Sequence, residues 1–191
     1  MGQQNNSEHI RVLISEGMLE QRISELAAEI DRDYRELQPL LCVGILKGSV
    51  FFLVDLLKRI TTPLEIDFLQ TSSYRSGTTP GEVRIRKDVD VSIRGKHVLL
   101  IEDIVDTGYT VNTILELLRF RGAKSVRLCS LLDKVDARKI PIPIDYRGFP
   151  IDDVFVVGYG LDLDERFREL PYIGVYEGAT TPEPAEGDAP S

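Results

Sequence analysis

The chain has little cysteine, no surplus of positive charge and no long apolar run, and each shortage removes a class of function. Its two cysteines, Cys42 and Cys129, lie far apart in sequence inside apolar runs. There a reduced core thiol is the reading rather than a bridge, so no disulfide framework is expected and a reducing compartment is implied. Lysine and arginine number 23 against 31 aspartates and glutamates, a net charge of −8, and the pI is near 4.9. Surfaces that track nucleic-acid phosphates are basic, so no nucleic-acid partner is expected. A polyanionic ligand must then be met by local groups or by a metal. No stretch approaches the ~20 apolar residues of a membrane span, and "MGQQNNSEHIRV" lacks the apolar centre of a signal peptide. The expectation is a soluble cytoplasmic protein with no membrane partner.

The 191 residues, 42% of them hydrophobic, suffice for one domain around one core. "SEGMLEQRISELAAEIDRDY" sets Leu19, Ile23, Leu26, Ala27 and Ile30 at helical spacing, with Ser15 as N-cap. "LLCVGIL" reads as a short buried strand, and after Lys47-Gly48-Ser49 "VFFLVDLLKRI" reads as an apolar helix. "LEIDFLQ" is a strand, and "SSYRSGTTPG" has the composition of a long loop. "VRIRKDVDVSIRGKHVLLI" reads as strand, turn and strand. A helix "VNTILELLRFRG" ending at Gly122, a strand "VRLCSLLD", a loop rich in Pro and Ile, and a strand "VFVVGY" follow. The expected organisation is a flexible stretch over 1–9, one domain over 10–177 and a polar, Pro-rich, disordered tail over 178–191. No repeat is visible.

Continuous apolar strands alternating with helices predict an α/β fold, a parallel sheet covered on both faces. Ligands in such sheets bind beyond the carboxyl ends of the strands, near the point where strand order reverses. One strand end carries an unusual combination. In "VLLIEDIVDTGYT", Val98 to Ile101 is followed by three acids, Glu102, Asp103 and Asp106, and a turn whose Gly108 opens a helix. Amides from Thr107 to Val111, with the hydroxyls of Thr107 and Thr110, suit a single phosphate at a helix start. On its own such a turn also fits an ordinary capped helix, but three acids at the same strand end weigh against that. No Lys follows the Gly, and there is no G-x-G-x-x-G, so neither the ATP-binding loop nor the dinucleotide fingerprint is present. "DTG" is also the aspartic-protease triplet, yet that fold is all-β and a long amphipathic helix follows here. Haloacid-type phosphatases place two acids two apart after a strand, whereas Asp103 and Asp106 are three apart.

The stretch resembles the phosphoribosyl pyrophosphate (PRPP) motif of the type I phosphoribosyltransferases: four apolar residues, two acids, two spacers, an acid and a Thr-Gly-x-Thr turn. "LKGS" at Leu46–Ser49, "SSYRSG" at Ser72–Gly77, "LLDKVDAR" at Leu131–Arg138 and "FVVGYGLDLDERFRELPYIG" at Phe155–Gly174 are similar to its hypoxanthine-guanine branch. The resemblance covers 10–177. It implies a twisted, mainly parallel sheet flanked by helices, a small hood and a flexible active-site loop. It also implies a 6-oxopurine salvage enzyme, with PRPP and a purine as small-molecule substrates and a homo-oligomeric assembly, a dimer or tetramer.

By that resemblance Glu102 and Asp103 hold the ribose hydroxyls and a Mg²⁺, Asp106 is the general base, and Thr107, Gly108, Tyr109 and Thr110 seat the 5′-phosphate. Lys47, Gly48 and Arg168 take the pyrophosphate, and a non-proline cis peptide is implied between Leu46 and Lys47. Lys134, Phe155, Val156 and Asp162 meet the purine, Asp162 with a possible second Mg²⁺, while Ser73 and Tyr74 stand on the closing loop. PRPP explains why acids adjoin an anion seat, since phosphate and diol are different ends of one ligand. A xanthine-preferring enzyme of the same class is one alternative. A non-catalytic PRPP-sensing regulator of the same fold is another, although a nucleic-acid-binding regulator would need a basic face, and this chain is acidic.

Overall fold

A computed structural model describes residues 9–73 and 83–178. In chain order the elements are β1 (Ile10–Ile14), α1 (Glu16–Tyr34), β2 (Leu40–Leu46), α2 (Val50–Leu57), β3 (Leu64–Ser73) and β4 (Val83–Lys87). Then come β5 (His97–Val105), α3 (Tyr109–Phe120), β6 (Ser125–Lys134), β7 (Tyr146–Ile151), β8 (Val156–Val157) and β9 (Ile173–Tyr176). Tyr74 and the expected tail from residue 179 lie outside the described residues.

Helix α1 starts where the sequence places its cap: the Met18 N–H donates to Ser15 Oγ at 3.4 Å. It buries Leu19, Ile23, Leu26, Ala27 and Ile30, and Tyr34 extends the stripe. The main sheet runs β4-β3-β2-β5-β6-β7. Pairing is parallel from β3 through β7, and only the edge strand β4 is antiparallel. Strand alternation sends Leu40, Cys42, Leu99 and Ile101 into one core with α1 and α2. Leu41, Val43, Val98 and Leu100 enter another under α3. Burial on both faces is why these strands read as unbroken apolar runs. Truncating fully buried Leu99 or Leu100 to Ala should cost about 2–5 kcal/mol. Both cysteines are free and buried within this core.

Three departures from the sequence reading have physical causes. β7 forms within the Pro- and Ile-rich stretch taken as a loop; it is the sheet's edge strand, where Pro150 omits no interior ladder bond. The segment "VFVVGY" contributes only a two-residue strand, because Gly158 at φ 96° and Gly160 at φ 99° turn the chain out of extension. That strand pairs with β9, which also pairs with β1, in a separate antiparallel sheet. Finally, β5 does not stop before the acids: Glu102, Ile104 and Val105 still pair with β6.

Candidate active site

Strand order reverses between β2 and β5: from β2 the chain moves outward to β3 and β4, then returns to β5 on the other side. The loops leaving β2 and β5 therefore diverge at their carboxyl ends and leave a crevice. A cavity of about 370 Å³ lies there. Lys47 and Gly48 from the β2 loop, Asp103 and Asp106 from the β5 end, and Lys134 from the end of β6 stand on its wall. The hood supplies Phe155, Val156, Asp162 and Arg168. Nine of the residues singled out from the sequence thus share one cavity.

The β2 loop is held close. The Leu46–Lys47 peptide is cis, and buried Ser49 donates its hydroxyl to Ile45 O at 2.6 Å. A Cβ on Gly48 would overlap Oδ2 of Asp103, so only glycine permits the loop to pass the acid this closely.

At the β5 end the two neighbouring acids behave differently. Asp103 reaches the cavity and accepts the Ile104 N–H at 2.8 Å. Burial pushes its carboxyl up to about 6, against the pull of that amide and of Arg168. Glu102 is 8% exposed and does not line the cavity, as strand alternation requires for residues side by side in β5. Burial first, then the Asp103 charge, raises it well above the usual carboxylate range. Its Oε2 is buried with no hydrogen-bond partner among the described residues. Asp106 is exposed and makes no side-chain hydrogen bond among the described residues.

Beyond Asp106, Gly108 takes φ 92° and starts α3 without a side-chain cap. The first intrahelical bond runs from Asn112 N–H to Gly108 O at 2.9 Å. The amides of Tyr109, Thr110 and Val111 therefore have no intrahelical acceptor, and with the helix dipole they form an anion seat. The loop after β6 braces this turn, since the N–H groups of Lys139 and Ile140 donate to Thr107 O at 3.0 and 3.2 Å.

Lys134 is 8% exposed and its Nζ stands 3.1 Å from Asp153 Oδ1. Phe155 is half-exposed and meets Tyr176 edge-on at 6.5 Å between ring centres. Arg168 donates to Gly160 O at 2.6 Å and pairs with Asp162 at 2.8 Å. Ser73 ends β3 opposite Val83. Sequence reasoning missed Asp153 and Glu165, the latter bridging Lys47 and Arg168. "IDDVF" looks like a solvated turn, and nothing in "LDLDERFREL" shows that Glu165 adopts φ 63°. Among the described residues no helix is long and apolar enough to cross a membrane.

A helix start with free amides, three cations and a set of acids gather at the switch point of an α/β fold of the type I phosphoribosyltransferase kind. Residues 15–164 match the phosphoribosyl transferase domain, and the chain belongs to that family. It is 49% identical to a hypoxanthine-guanine phosphoribosyltransferase of Bacillus subtilis, over 88% of this chain and 94% of that protein. It is 48% identical to a hypoxanthine phosphoribosyltransferase of Haemophilus influenzae, over 87% and 94%. Among solved structures, a hypoxanthine phosphoribosyltransferase from Staphylococcus aureus superposes with a TM-score of 0.85 at 47% identity, covering 92% of this chain and 96% of that one.

Proposed function

We propose that this chain is a purine-salvage enzyme that transfers the phosphoribosyl group of PRPP to N9 of hypoxanthine or guanine, giving IMP or GMP and pyrophosphate. The observation that carries the reading is the shared cavity, where groups suited to pyrophosphate, to a ribose hydroxyl and to a 6-oxopurine meet at one switch point, with the α3 start three residues beyond Asp106. Near 50% identity to relatives named for that activity supports it.

In this reading the α3 amides hold the 5′-phosphate, Asp103 serves the ribose diol from the cavity wall with Glu102 buried behind it, and Lys47 and Arg168 hold the pyrophosphate. Lys134 donates to the purine's 6-carbonyl, and Phe155 stacks on the ring. As N9 attacks C1′ and the bond to pyrophosphate breaks, Asp106 accepts the proton leaving the purine; no side chain among the described residues competes for its carboxylate. The sugar passes through an oxocarbenium-like state, for which carboxylates in a sheltered cavity supply compensating charge.

The acids also fit Mg²⁺. Two side-by-side carboxyls raised by burial, Asp103 on the cavity wall and Glu102 behind it with an oxygen that has no partner among the described residues, are a pair short of positive charge. No cluster of three or more metal-ligating side chains occurs among the described residues. Mg²⁺ commonly takes one or two carboxylates and completes its shell with substrate oxygens and water. Bound there, the ion would neutralise the departing pyrophosphate. The reading extends to a homo-oligomer, a dimer or tetramer.

The test is release of pyrophosphate from PRPP with Mg²⁺ and each base supplied in turn. Turnover with hypoxanthine and guanine is expected; turnover with neither, or with xanthine alone, overturns the assignment.

A further inference from the structure

Lys47 and Arg168 approach the cavity from different elements, yet one carboxylate oxygen joins them. Glu165 Oε2 lies 3.0 Å from Lys47 Nζ and 3.2 Å from Arg168 Nη2. Hydrogen bonds from the two cations, that of Lys47 first, lower the Glu165 carboxyl below its ordinary range. The residue is presented by a tight turn: Leu163 and Arg166 exchange backbone hydrogen bonds at 3.1 Å, and the Glu165 N–H donates to Asp162 Oδ2 at 2.9 Å. Both residues at the tip, Asp164 and Glu165, have positive φ. The backbone is fixed, while the carboxylate side chain is 64% exposed and can leave without unpacking a core.

We propose that Glu165 is a built-in stand-in for pyrophosphate: its carboxylate pairs with the two cations until a pyrophosphate-bearing ligand displaces it. The inference rests on the phosphoribosyl-transfer reading above. An oxygen anion shared by an ammonium and a guanidinium is the arrangement a phosphate oxygen would make with the same groups. The stand-in keeps two like charges from repelling each other across an empty seat and holds both side chains aimed at the cavity. It also opposes binding. Around the seat, Lys47 and Arg168 face three acids, Asp103, Asp162 and Glu165, so an arriving anion must expel one. Exposed ion pairs are weak, so a multiply charged ligand wins this exchange. As product pyrophosphate leaves, Glu165 re-forms its contacts, which favours release.

A competitor for the seat and a brace of the seat respond oppositely to substitution. Glu165→Gln removes the charge but keeps the shape, and Glu165→Ala removes both; the exposed position makes either variant compatible with folding. Calorimetric titration of the full chain with pyrophosphate and Mg²⁺ should show binding roughly three- to tenfold tighter in both variants, the range expected from losing one or two exposed ion pairs. Product inhibition by pyrophosphate should strengthen by the same factor. Affinity for IMP, which carries no pyrophosphate, should change less than about twofold. Unchanged or weaker pyrophosphate binding in both variants overturns the proposal, because a brace loosens the seat when removed. Equal tightening of IMP overturns it too, because the effect is then general electrostatics. If the parent protein neither binds pyrophosphate nor turns over a purine with PRPP, the functional reading itself fails. An active parent with variants that bind no tighter sinks only the role of Glu165.

Discussion

Gly48 and Asp103 touch across the switch point so closely that a Cβ on the glycine would overlap the Asp103 carboxylate. The pyrophosphate loop and the diol acid are therefore positioned by each other. Gly48→Ala must move one of them, and because both serve PRPP the damage should be functional. The Michaelis constant for PRPP is expected to rise at least about tenfold, since a displacement near 1 Å in such a site can cost 10²-fold. Stability measured by chemical denaturation should change by no more than about 1 kcal/mol, because the contact lies at the cavity wall and not in the core. Parent-like PRPP kinetics would show that the loop yields freely.

The buried acids make a linked pair of expectations about metal and pH. A chelator should abolish turnover, and excess Mg²⁺ should restore it. Without metal or ligand, Asp103 ionises near 6 because burial disfavours its charge, against about 3.9 in an unfolded chain. A folded pKa above the unfolded one gives stability that is complete at low pH and lost as pH rises through about 6. Asp103→Asn should therefore melt higher than the parent at pH 7 without metal, by roughly 2–4 °C if the relief is near 1 kcal/mol. The difference should vanish near pH 4, and the variant should bind PRPP and Mg²⁺ poorly. A variant that melts lower at pH 7 would mean the carboxylate is compensated in the free protein.

The strands β2, β5 and β6 and the helices α1 and α3 were legible because doubly buried strands and amphipathic helices impose patterns that a sequence cannot hide. The convergence of Lys47, Asp103, Asp106 and Lys134 followed from the switch-point rule once those strands were placed. The hood was less legible. Its strands β1, β8 and β9 are two to five residues long, too short to show a local period, and β1 is ordered only by pairing with β9 at the far end of the domain. β7 was masked by Pro150, whose tolerance depends on an edge position known only from the sheet. Glu165 and Asp153 were hidden for a third reason: a charged run looks the same whether its side chains meet solvent or the cations of a site.

Base choice should follow from Lys134, which is almost fully buried at the cavity wall and offers donors only. A 6-carbonyl can accept from it, while the amino group of adenine cannot. Discrimination of about 10⁴ in kcat/KM against adenine is expected, as for other sites built around one hydrogen bond. Lys134→Gln can accept as well as donate, so it should lower use of hypoxanthine and narrow the gap. Comparing kcat/KM for both bases in both proteins checks this, and efficient adenine turnover by the parent would remove Lys134 from selectivity.

Asp106 is set apart from the other acids by Ile104 and Val105, and the structure separates it further. Asp103 is anchored by the Ile104 amide, whereas Asp106 stands exposed on the same cavity, outside β5 and just before the α3 turn. An acid with no side-chain partner among the described residues can take up a proton without breaking any contact they make, which is what a general base must do. Asp106→Asn keeps the shape and a hydrogen-bonding group but cannot take up the purine's proton or balance the charge forming on the sugar. General-base assistance is typically worth about 10²–10⁴-fold, so kcat should fall by that order. PRPP affinity should change far less, because the α3 amides, Asp103 and the cations remain in place. The same substitution at Asp103 should do the reverse, weakening PRPP and Mg²⁺ binding more than the chemical step. Measuring kcat at saturating substrates and PRPP affinity in both variants separates the two roles. A kcat for Asp106→Asn within a few-fold of the parent would transfer the proton to another acceptor, a water or the substrate's own pyrophosphate.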